Sequence, residues 1–588
     1  DEAGAPRLAY EGNWRDIFQN WEALAASYPD YLPSFIAKFT NASTVDGFNP
    51  YRISKEGVDW EVPDPHDPWS NIGYWGDHQV IYLLRLLEAL ARYRPAALEE
   101  LLDARRFAFA DVPYRLVDFD QILADPTETI VFDAARDAEV RRRAAEIGTD
   151  GRLVQVDGQV VHTHLWEKLL ITLGAKLSNL VVEGGIWMNT QRPEWNDANN
   201  ALVGKGVSVV TTAYLERFAS FVERLLDRST TTEFVLFEET HTWMEEILKA
   251  LRGADEAREG GWTPASRLAF MRSCAEPARA FRERVFGSGL SGRTRQLSAE
   301  TVSELFARIR HLAAETVERN RRLDGLFHSY NTLSVERDAS GAPTGASLLP
   351  LYEMLEGQVA AISSHTVAPE QAERTLESVR SSALYREDQH SYMLYPNREL
   401  PGFMERNVVP AEKAGESPAV RKLLAEPDQT LVVADVAGAV HFDPDFRNAG
   451  ILRRAARDYL KAHPDSALTD GDIEELAELY EETFQHQYFT GRSGTFFGYE
   501  GLGSIYWHMV SKLLLATQEN VVRAHRAGDD DLARTLRERY FDIRRGIGFN
   551  KKPAEYGAFP MDPYSHTPWG AGAKQPGMTG QVKEEIIA

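Results

Sequence analysis

The feature that most limits the possible folds is the recurrence of apolar residues at helical spacing along the chain. Residues 78–93 are apolar over a wide arc, as in a helix packed on two sides, and residues 165–182 share this pattern. Narrower stripes, with apolar side chains three and four positions apart, follow in residues 215–225 and 302–312. Another dense apolar run spans residues 505–517. The sequence therefore predicts a predominantly helical protein.

Strand patterns are few in comparison. The clearest spans residues 153–161, where an Asp-Gly dipeptide favours a two-residue hairpin turn, and a weaker one spans residues 431–434. Residues 253–261 and 338–346 have the composition of exposed linkers or insertions. We therefore expect only minor β-hairpins beside the helices.

The segments between the helices are long and rich in aromatic, glycine, proline and charged residues. Ordinary connections are short, so long aromatic loops indicate functional segments gathered at one end of a scaffold. A toroid of inner and outer helices arranges its loops in this way. We therefore predict an all-α fold: one catalytic (α/α)6-barrel domain over residues 1–588, with insertions around 250–345. The loops concerned are residues 11–19, 46–77, 184–200, 385–407, 488–503 and 562–580.

Charge and cysteine content exclude several classes of protein. The chain has 65 Lys and Arg against 88 Asp and Glu, a net charge of −23, which disfavours nucleic acid or an anionic membrane as a partner. Cys274 is the one cysteine, so an intrachain disulfide and a cysteine-based zinc site are excluded. No apolar run approaches the roughly 20 residues of a membrane span, and the first residues lack the pattern of a secretory signal. A cytoplasmic enzyme fits these observations.

Residues 185–199 hold the densest group of chemically active side chains, because Glu194 and Asp197 lie beside Arg192 and Trp195. Indole rings stack on the apolar face of a pyranose, and a carboxylic acid held there can protonate a glycosidic oxygen. Burial among indoles and a neighbouring carboxylate raise the pKa of such an acid, whereas a neighbouring arginine lowers it. We therefore predict that Asp197 is the acid; its alternative role is to cap a helix.

Two earlier loops are candidates for binding a sugar. Residues 11–19 combine a guanidinium, a carboxylate and an amide beside an indole, and such groups bind the vicinal hydroxyls of a sugar. The alternative interpretation of this segment is a capped helix start with a surface ion pair. Residues 69–79 place indoles, an aspartate and a histidine before a buried helix, where the aspartate also suits an N-cap. No metal is expected near His66 and Asp67, since no ligand spacing repeats there. The predicted sugar-binding residues are Trp14, Arg15, Asp16, Gln19, Trp75, Asp77, Arg192, Glu194 and Trp195.

Two glycine-rich segments, residues 489–509 and 562–581, have the composition of an anion pocket. Main-chain N–H groups freed by glycine, together with hydroxyl and imidazole donors, can hold an oxyanion or a phosphate. The chain lacks GxxxxGK[ST] and a GxGxxG after a strand, so no nucleotide site is indicated. His508 ends the first segment on an apolar helix, where a core histidine is the alternative, and Glu500 lies in its glycine-rich part.

Together these motifs resemble the catalytic barrel of the inverting cellobiose/chitobiose phosphorylase family, which includes a module of cyclic β-1,2-glucan synthases. Residues 14–19 (WRDIFQ) resemble the family's F-R-D-x-x-Q, and residues 76–80 (GDHQV) its D-D-H-L-W. Residues 194–200 (EWNDANN) resemble D-W-N-D-G-M-N, residues 503–508 (GSIYWH) resemble G-G-Q-Y-T-H, and residues 579–580 a late T-G pair. The order of the motifs agrees along nearly the whole chain.

The resemblance implies that Asp197 protonates the leaving oxygen while inorganic phosphate attacks the anomeric carbon from the opposite face. The resemblance also implies that His508, Thr579 and Gly580 bind the phosphate, and Arg492 is a further candidate for a phosphate ligand. We expect no cofactor apart from phosphate as co-substrate, and an oligosaccharide or disaccharide as the partner.

Two other functions stay open. The first is an inverting hydrolase or transglycosylase in which Glu500 is the general base, with its carboxyl group about 6.5–9.5 Å from that of Asp197. The second is a non-catalytic carbohydrate-binding module. A homodimer is compatible with the sequence, which does not determine the oligomeric state. The early position of the motif at Trp14 is compatible with a piece of a longer chain.

Overall fold

The computed structural model describes residues 11–50, 52–54, 57–60, 62–63, 79–125, 129–189, 202, 204–397, 399, 401–446, 448–484, 503–548, 550–557, 564–567, 570, 575–576 and 587. The chain divides into two compact units. The main unit comprises Asp1–Glu194, Val203–Pro396 and Gly503–Ala588, and the inserted unit comprises Trp195–Leu202 and Asn397–Leu502.

The helices are numbered in chain order. In the main unit they are α1 Trp14–Ser27, α2 Leu32–Asn41, α3 Leu84–Tyr93, α4 Pro95–Asp103, α5 Phe119–Ala124, α6 Ala134–Ile147, α7 Leu165–Leu177, α8 Val209–Leu226, α9 Glu238–Gly260, α10 Pro264–Ser288, α11 Ala299–Arg319, α12 Leu355–Ser363 and α13 Pro369–Ser381. The inserted unit contributes α14 Phe403–Arg406, α15 Ala411–Glu416, α16 Pro418–Ala425, α17 Ala449–Ala462 and α18 Asp470–Phe484. The main unit then adds α19 Trp507–Arg526, α20 Asp530–Gly546 and α21 Pro553–Tyr556. A π-helical turn, Gln79–Leu83, leads directly into α3.

The described strands are short and pair in an antiparallel manner. They are β1 Glu11–Asn13, β2 Arg52–Ser54, β3 Gly57–Asp59, β4 Tyr114–Leu116, β5 Ile130–Phe132, β6 Gln155–Val156, β7 Gln159–Val160, β8 Leu180–Val181, β9 Gly185–Trp187, β10 Gly206–Ser208, β11 Glu233–Phe237, β12 Thr294–Ser298, β13 Tyr330–Arg337, β14 Pro343–Pro350, β15 Tyr385–Arg386, β16 Ser391–Tyr392, β17 Val432–Ala434, β18 Val440–Phe442, β19 Ile505–Tyr506, β20 Tyr564–Thr567 and β21 Gln575–Pro576. A five-stranded sheet has the order β14-β13-β10-β9-β8, and a three-stranded sheet the order β19-β20-β21.

The prediction of an all-α (α/α)6 barrel is wrong. Helices account for 59% and strands for 15%, the five-stranded antiparallel sheet is curled, and the described residues show no barrel of helices. Three strands of that sheet, β8, β9 and β10, have only two or three residues, too few to display an alternating pattern. The other two, β13 and β14, form a hairpin whose turn lies within residues 338–346, which the composition indicated as a linker. Residues 253–260, the other predicted linker, complete α9 instead.

Local patterns were more reliable guides than the predicted architecture. Two of the five apolar runs contain α3 and α7, two lie within α8 and α11, and the fifth enters α19. The predicted hairpin turn lies between β6 and β7, with Asp157 at φ 52° and Gly158 at φ 74°, both in the left-handed region that such turns require. The weaker strand is β17. These predictions are confirmed because each depends on residues close together in the chain.

Helix α7 is buried along its entire length, including the charged residues Glu167, Lys168 and Lys176. The Lys168 ammonium donates to the Ala108 carbonyl at 2.8 Å, and the Glu167 carboxylate accepts from the Phe237 N–H at 3.0 Å. Burial lowers the pKa of Lys168 well below its ordinary value and raises the pKa of Glu167. A Cβ at Gly174 would overlap the side chains of Met244 and Trp243, so this glycine allows α7 and α9 to pack closely. The described residues include no helix long and apolar enough to cross a membrane.

A network of charged side chains joins α1, α3, α8 and α19 inside the main unit. Arg85 lies 3.0 Å from Glu22 and 2.6 Å from Glu519, measured between nitrogen and oxygen atoms. Arg217 donates to both carboxylate oxygens of Glu88, each at 2.8 Å, and to Glu519 at 2.9 and 3.2 Å. Although burial opposes ionisation, the two arginines hold the pKa of Glu519 well below its ordinary value. We call these five residues the ion-pair network.

The inserted unit has a hydrophobic core of its own, built from α16, α17, α18 and the β17–β18 hairpin. The chain leaves the main unit after Pro396 and returns at Gly503. The Gly503 N–H donates to the Tyr395 carbonyl at 3.2 Å, and the Leu394 N–H donates to the Ser504 carbonyl at 2.9 Å. The chain therefore leaves and re-enters the main unit at two adjacent, hydrogen-bonded points, which is the arrangement in which a domain insertion is tolerated.

Candidate functional site

The segment that carries Asp197 begins and ends on neighbouring strands of the five-stranded sheet. The Met188 N–H donates to the Gly206 carbonyl at 2.9 Å, and the Gly204 N–H donates to the Met188 carbonyl at 2.7 Å. The Trp187 indole N–H donates to the Gly204 carbonyl at 2.9 Å. Backbone hydrogen bonds and a buried indole thus close the base of residues 190–203.

The entry to this segment is tied to the end of α7. The Asn189 side chain is buried and donates to the Asn179 side-chain oxygen at 2.6 Å, and the Asn179 carbonyl accepts from the Trp187 N–H at 2.7 Å. Gly185 begins β9 at φ 129°, and a Cβ there would overlap the Ser208 carbonyl. The base therefore requires glycine at this position and is rigid on both sides.

Gln19 lies on α1 and is buried. Its side-chain amide donates to the Tyr82 hydroxyl. Gln79, at the start of the π-helical turn, is 1% exposed, and neither polar atom of its side chain has a hydrogen-bond partner among the described residues. Buried amides are almost always hydrogen-bonded, so one without a protein partner marks a place for a ligand or water. π-Helical turns are also common at functional sites.

Gln79 was missed because the surrounding residues are apolar and the run was interpreted as a packed helix. The available signal was a series of polar residues in that run. Gln79, Tyr82, Arg85 and Glu88 follow one another at intervals of three residues, and Arg92 follows four residues later. Successive members of the series are neighbours on the helix surface, but each step of three turns by about 60°, so the series winds around the helix.

The two segments predicted to bind phosphate lie side by side. Strand β19 pairs with β20, with Tyr506 opposite His566. The buried Trp507 indole N–H donates to the Thr567 hydroxyl at 2.8 Å, which fixes the start of α19 against β20. His508, in the first turn of α19, is buried, and its Nδ1 lies 3.2 Å from the Tyr506 hydroxyl oxygen. Strand β21 follows β20 and ends three residues before Thr579.

Two cations that the sequence analysis did not single out lie beside this small sheet. The Lys551 ammonium is 5.0 Å from the centre of the Trp507 ring and donates to the Gln389 side-chain oxygen at 3.2 Å. Burial lowers the pKa of Lys551 to about 8. Arg386 forms a fork with Asp388 at 2.8 and 2.9 Å, and it donates to the Thr567 carbonyl at 3.4 Å. Lys551 comes from an irregular segment, and Arg386 comes from β15 at the start of the predicted loop 385–407; neither belongs to a motif that would have singled it out.

Among the predicted site residues, Gln19 and His508 have described side chains. Trp14, Arg15 and Asp16 begin α1, but their side chains lie outside the described part of the chain. Within the described ranges, no group of three or more His, Cys, Asp or Glu side chains could hold a metal ion. The remaining predicted residues lie outside the described ranges: Trp75, Asp77, Arg192, Glu194, Trp195, Asp197, Arg492, Glu500, Thr579 and Gly580.

Residues 400–487 match the family model of the GH149 phosphorylase insertion domain 2. The matched range falls within the inserted unit, which is connected to the main unit as an insertion. No curated protein matches the chain. The match supports a relationship to GH149 phosphorylases, and it does not specifically support the cellobiose/chitobiose phosphorylase family.

Proposed function

We propose that this protein is a glycoside phosphorylase that cleaves a glycosidic bond with inversion and releases a sugar 1-phosphate. The observation that carries the proposal is the similarity of residues 400–487 to a phosphorylase insertion domain. The pairing of β19 with β20 supports it, because this pairing brings together the two segments proposed to hold phosphate.

In this proposal Asp197 donates a proton to the glycosidic oxygen as the bond to the anomeric carbon breaks. Inorganic phosphate attacks that carbon from the opposite face, so one catalytic carboxylic acid is sufficient. His508, Thr579, Gly580 and Arg492 are the proposed phosphate ligands. Lys551 and Arg386, beside the same sheet, add positive charge that favours a phosphate dianion.

The sugar is proposed to bind where the N-terminal ends of α1 and the π-helical turn carry buried amides. Gln19 is held by Tyr82, so its amide is oriented before the substrate arrives. We add Gln79 to the proposed sugar-binding residues, since its buried amide has no hydrogen-bond partner in the described structure. The other proposed members are Trp14, Arg15, Asp16, Trp75, Asp77, Arg192, Glu194 and Trp195.

The test is phosphate-dependent turnover. A panel of oligosaccharides is incubated with and without inorganic phosphate, and sugar 1-phosphate is measured; the reverse reaction, with sugar 1-phosphates and acceptors, is followed by phosphate release. We expect Asp197→Asn to lower the forward rate by about 10²–10⁴. The matched control is Asp157→Asn, which makes the same carboxylate-to-amide change at a turn residue. Asparagine tolerates the left-handed backbone conformation of this position, so the control should retain full activity.

Equal turnover without phosphate would overturn the proposal. If free sugar is released and Glu500→Gln abolishes that release, the enzyme is an inverting hydrolase in which Glu500 is the base. If carbohydrate binds but no bond is cleaved under either condition, the chain is a binding module.

A further inference from the structure

A cavity of about 600 Å³ lies in the main unit among the C-terminal halves of α1, α3, α8 and α19. Its volume is within the range of about 300–1,000 Å³ that small-molecule sites occupy. Seven arginines and three glutamates line it, an excess of positive charge in a chain whose net charge is −23. These residues are Arg85, Arg92, Arg217, Arg224, Arg228, Arg523 and Arg526, with Glu22, Glu88 and Glu519.

The inner wall of the cavity consists of paired charges. It is formed by the ion-pair network, in which Arg85 and Arg217 are bound to all three glutamates. His365 lines the same wall, and its Nε2 lies 3.5 Å from a Glu519 oxygen. Its backbone has φ 64°, a left-handed conformation that is uncommon for a residue other than glycine and is found preferentially at functional sites. Two arginines and three glutamates give this floor a net charge of −1, and both arginines are already bound to carboxylates.

The rim of the cavity is different, because its arginines form no ion pair with the described carboxylates. Arg92, Arg224, Arg228 and Arg526 are exposed, and within the described part of the chain none of them forms an ion pair. Arg523, between floor and rim, donates to neutral acceptors, at 3.0 Å to the Val367 carbonyl and 2.7 Å to the Asn520 side chain. Burial and the nearby Arg217 lower the pKa of Arg523, although the Glu519, Glu216 and Glu370 carboxylates act in the opposite direction.

Arginines near helix C-termini also interact favourably with the helix dipole, which is the simpler explanation for some of them. That interaction accounts for Arg92 at the end of α3, for Arg224 at the end of α8, and for Arg523 and Arg526 in the last turn of α19. It does not account for Arg228, which lies beyond the end of α8. Nor does it explain why unpaired arginines from three helices and a loop converge on one cavity.

We propose that this cavity binds a small organic polyphosphate through Arg92, Arg224, Arg228, Arg523 and Arg526. Guanidinium groups bind phosphate oxygens in a bidentate manner, and their arrival from several sides suits a ligand with two or more phosphate groups. The site is distinct from the proposed catalytic one: along α19, Arg526 lies about 27 Å from His508 at 1.5 Å per residue. The proposal does not rest on the proposed function.

The test is calorimetric titration of the full chain with fructose 1,6-bisphosphate and, separately, with tripolyphosphate. Ionic strength is kept physiological, so that charges more than about 8 Å apart are screened. Saturating inorganic phosphate is present throughout, so that a phosphate site at His508 is occupied and does not contribute. We expect saturable binding of at least one probe, weakened at least about tenfold in the double variant Arg224→Ala/Arg228→Ala.

The matched control is Arg454→Ala/Arg457→Ala, which removes the same charge from two exposed arginines on one face of α17. It should bind the probe like the unmodified protein. Because all four arginines are exposed, both double variants should keep the unmodified thermal transition. Absence of binding to both probes would overturn the proposal, and so would an equal loss in the two double variants, which would indicate attraction by overall charge.

Discussion

The ion-pair network gives a stability prediction whose size follows from its geometry. The perturbation is Arg217→Met, which keeps most of the apolar stem and removes the guanidinium. Arg217 makes four hydrogen bonds of 2.8–3.2 Å to Glu88 and Glu519, and it also donates to the Ser363 carbonyl. In the variant, Glu519 keeps Arg85 at 2.6 Å, but the nearest approach of Arg85 to Glu88 is 3.7 Å.

The magnitude depends on how far these groups are removed from water. The exposed fractions of the Arg217, Glu519 and Glu88 side chains are 6%, 16% and 21%. Removing one partner of such a buried pair costs about 3–5 kcal/mol, because a carboxylate stays behind without its counter-ion. Since Arg85 still compensates Glu519, we expect a loss of about 3 kcal/mol in the free energy of unfolding. A double-mutant cycle with Glu519→Gln should give an interaction energy of about 1–3 kcal/mol.

The assay is urea denaturation at neutral pH, with hydrogen exchange of α8 and α19 to assign the change to the main unit. The control cycle uses Arg310 and Glu223, a pair at 2.6 Å in which 44% and 23% of the side chains are exposed. Exposed pairs of this kind contribute about 0.2–1 kcal/mol. Equal interaction energies in the two cycles would refute the reasoning, since burial would then have no effect on the pair.

Three further predictions concern the acid-bearing segment, the phosphate segments and acid stability. Gly185→Ala should destabilise the main unit by more than about 2 kcal/mol and lower kcat, because the base of residues 190–203 has no room for a Cβ; calorimetry and the phosphorolysis assay measure the two effects. Thr567→Val should cost about 1–3 kcal/mol in thermal unfolding and raise KM for phosphate, because the buried Trp507 indole N–H loses its acceptor. The pKa of Glu519 is held below its ordinary value of 4.5, so its stabilising contribution is complete above that pH and is lost as pH falls below it. The stability difference between the unmodified protein and Glu519→Gln should therefore shrink below pH 4.5 in acid denaturation.

The first two of these predictions have a matched control. Gly158→Ala places alanine at φ 74° in the β6–β7 turn with no atom near its Cβ, so it measures backbone strain without overlap and should cost only about 1 kcal/mol. Thr535→Val removes a hydroxyl that only bonds an exposed helical carbonyl, and stability should change by less than about 0.5 kcal/mol. For acid denaturation, a constant difference between the unmodified protein and Glu519→Gln down to low pH would contradict the assignment of the titration to Glu519.

The sequence predicted those parts of the fold that depend on near neighbours. The helices followed from apolar spacing, and the β6–β7 hairpin followed from its Asp-Gly turn. The five-stranded sheet was missed because β10 pairs with β9 and with the distant β13, and because β8 and β9, which are neighbours in the chain, have only two and three residues. Pairing of this kind leaves no periodic signal in two or three residues. The (α/α)6 barrel was inferred from loop composition, which does not determine how helices are arranged.

For the candidate site, the structure shows how two of the predicted segments are connected. The sequence predicted an anion pocket from residues 489–509 and 562–581, and β19 and β20, one strand from each segment, are paired; the phosphate role stays a prediction. Gln19 was predicted, and its buried amide is held by Tyr82. Lys551 and Gln79 were missed for opposite reasons: one lies in an irregular segment, and the other is a polar residue within an apolar run. The roles of Asp197 and the other residues outside the described ranges stay predictions.

The ion-pair network also constrains how α3 and α19 pack together. Arg85 on α3 lies 2.6 Å from Glu519 on α19. A shift of one helical turn between the two helices would separate these charges by about 5.4 Å and break the buried pair, leaving Arg85 with Glu22 and Glu519 with Arg217. An apolar interface tolerates such a shift far better, because apolar contacts are not directional. The ion-pair network therefore favours one relative height of α3, which follows the turn that carries Gln79, and α19, which carries His508.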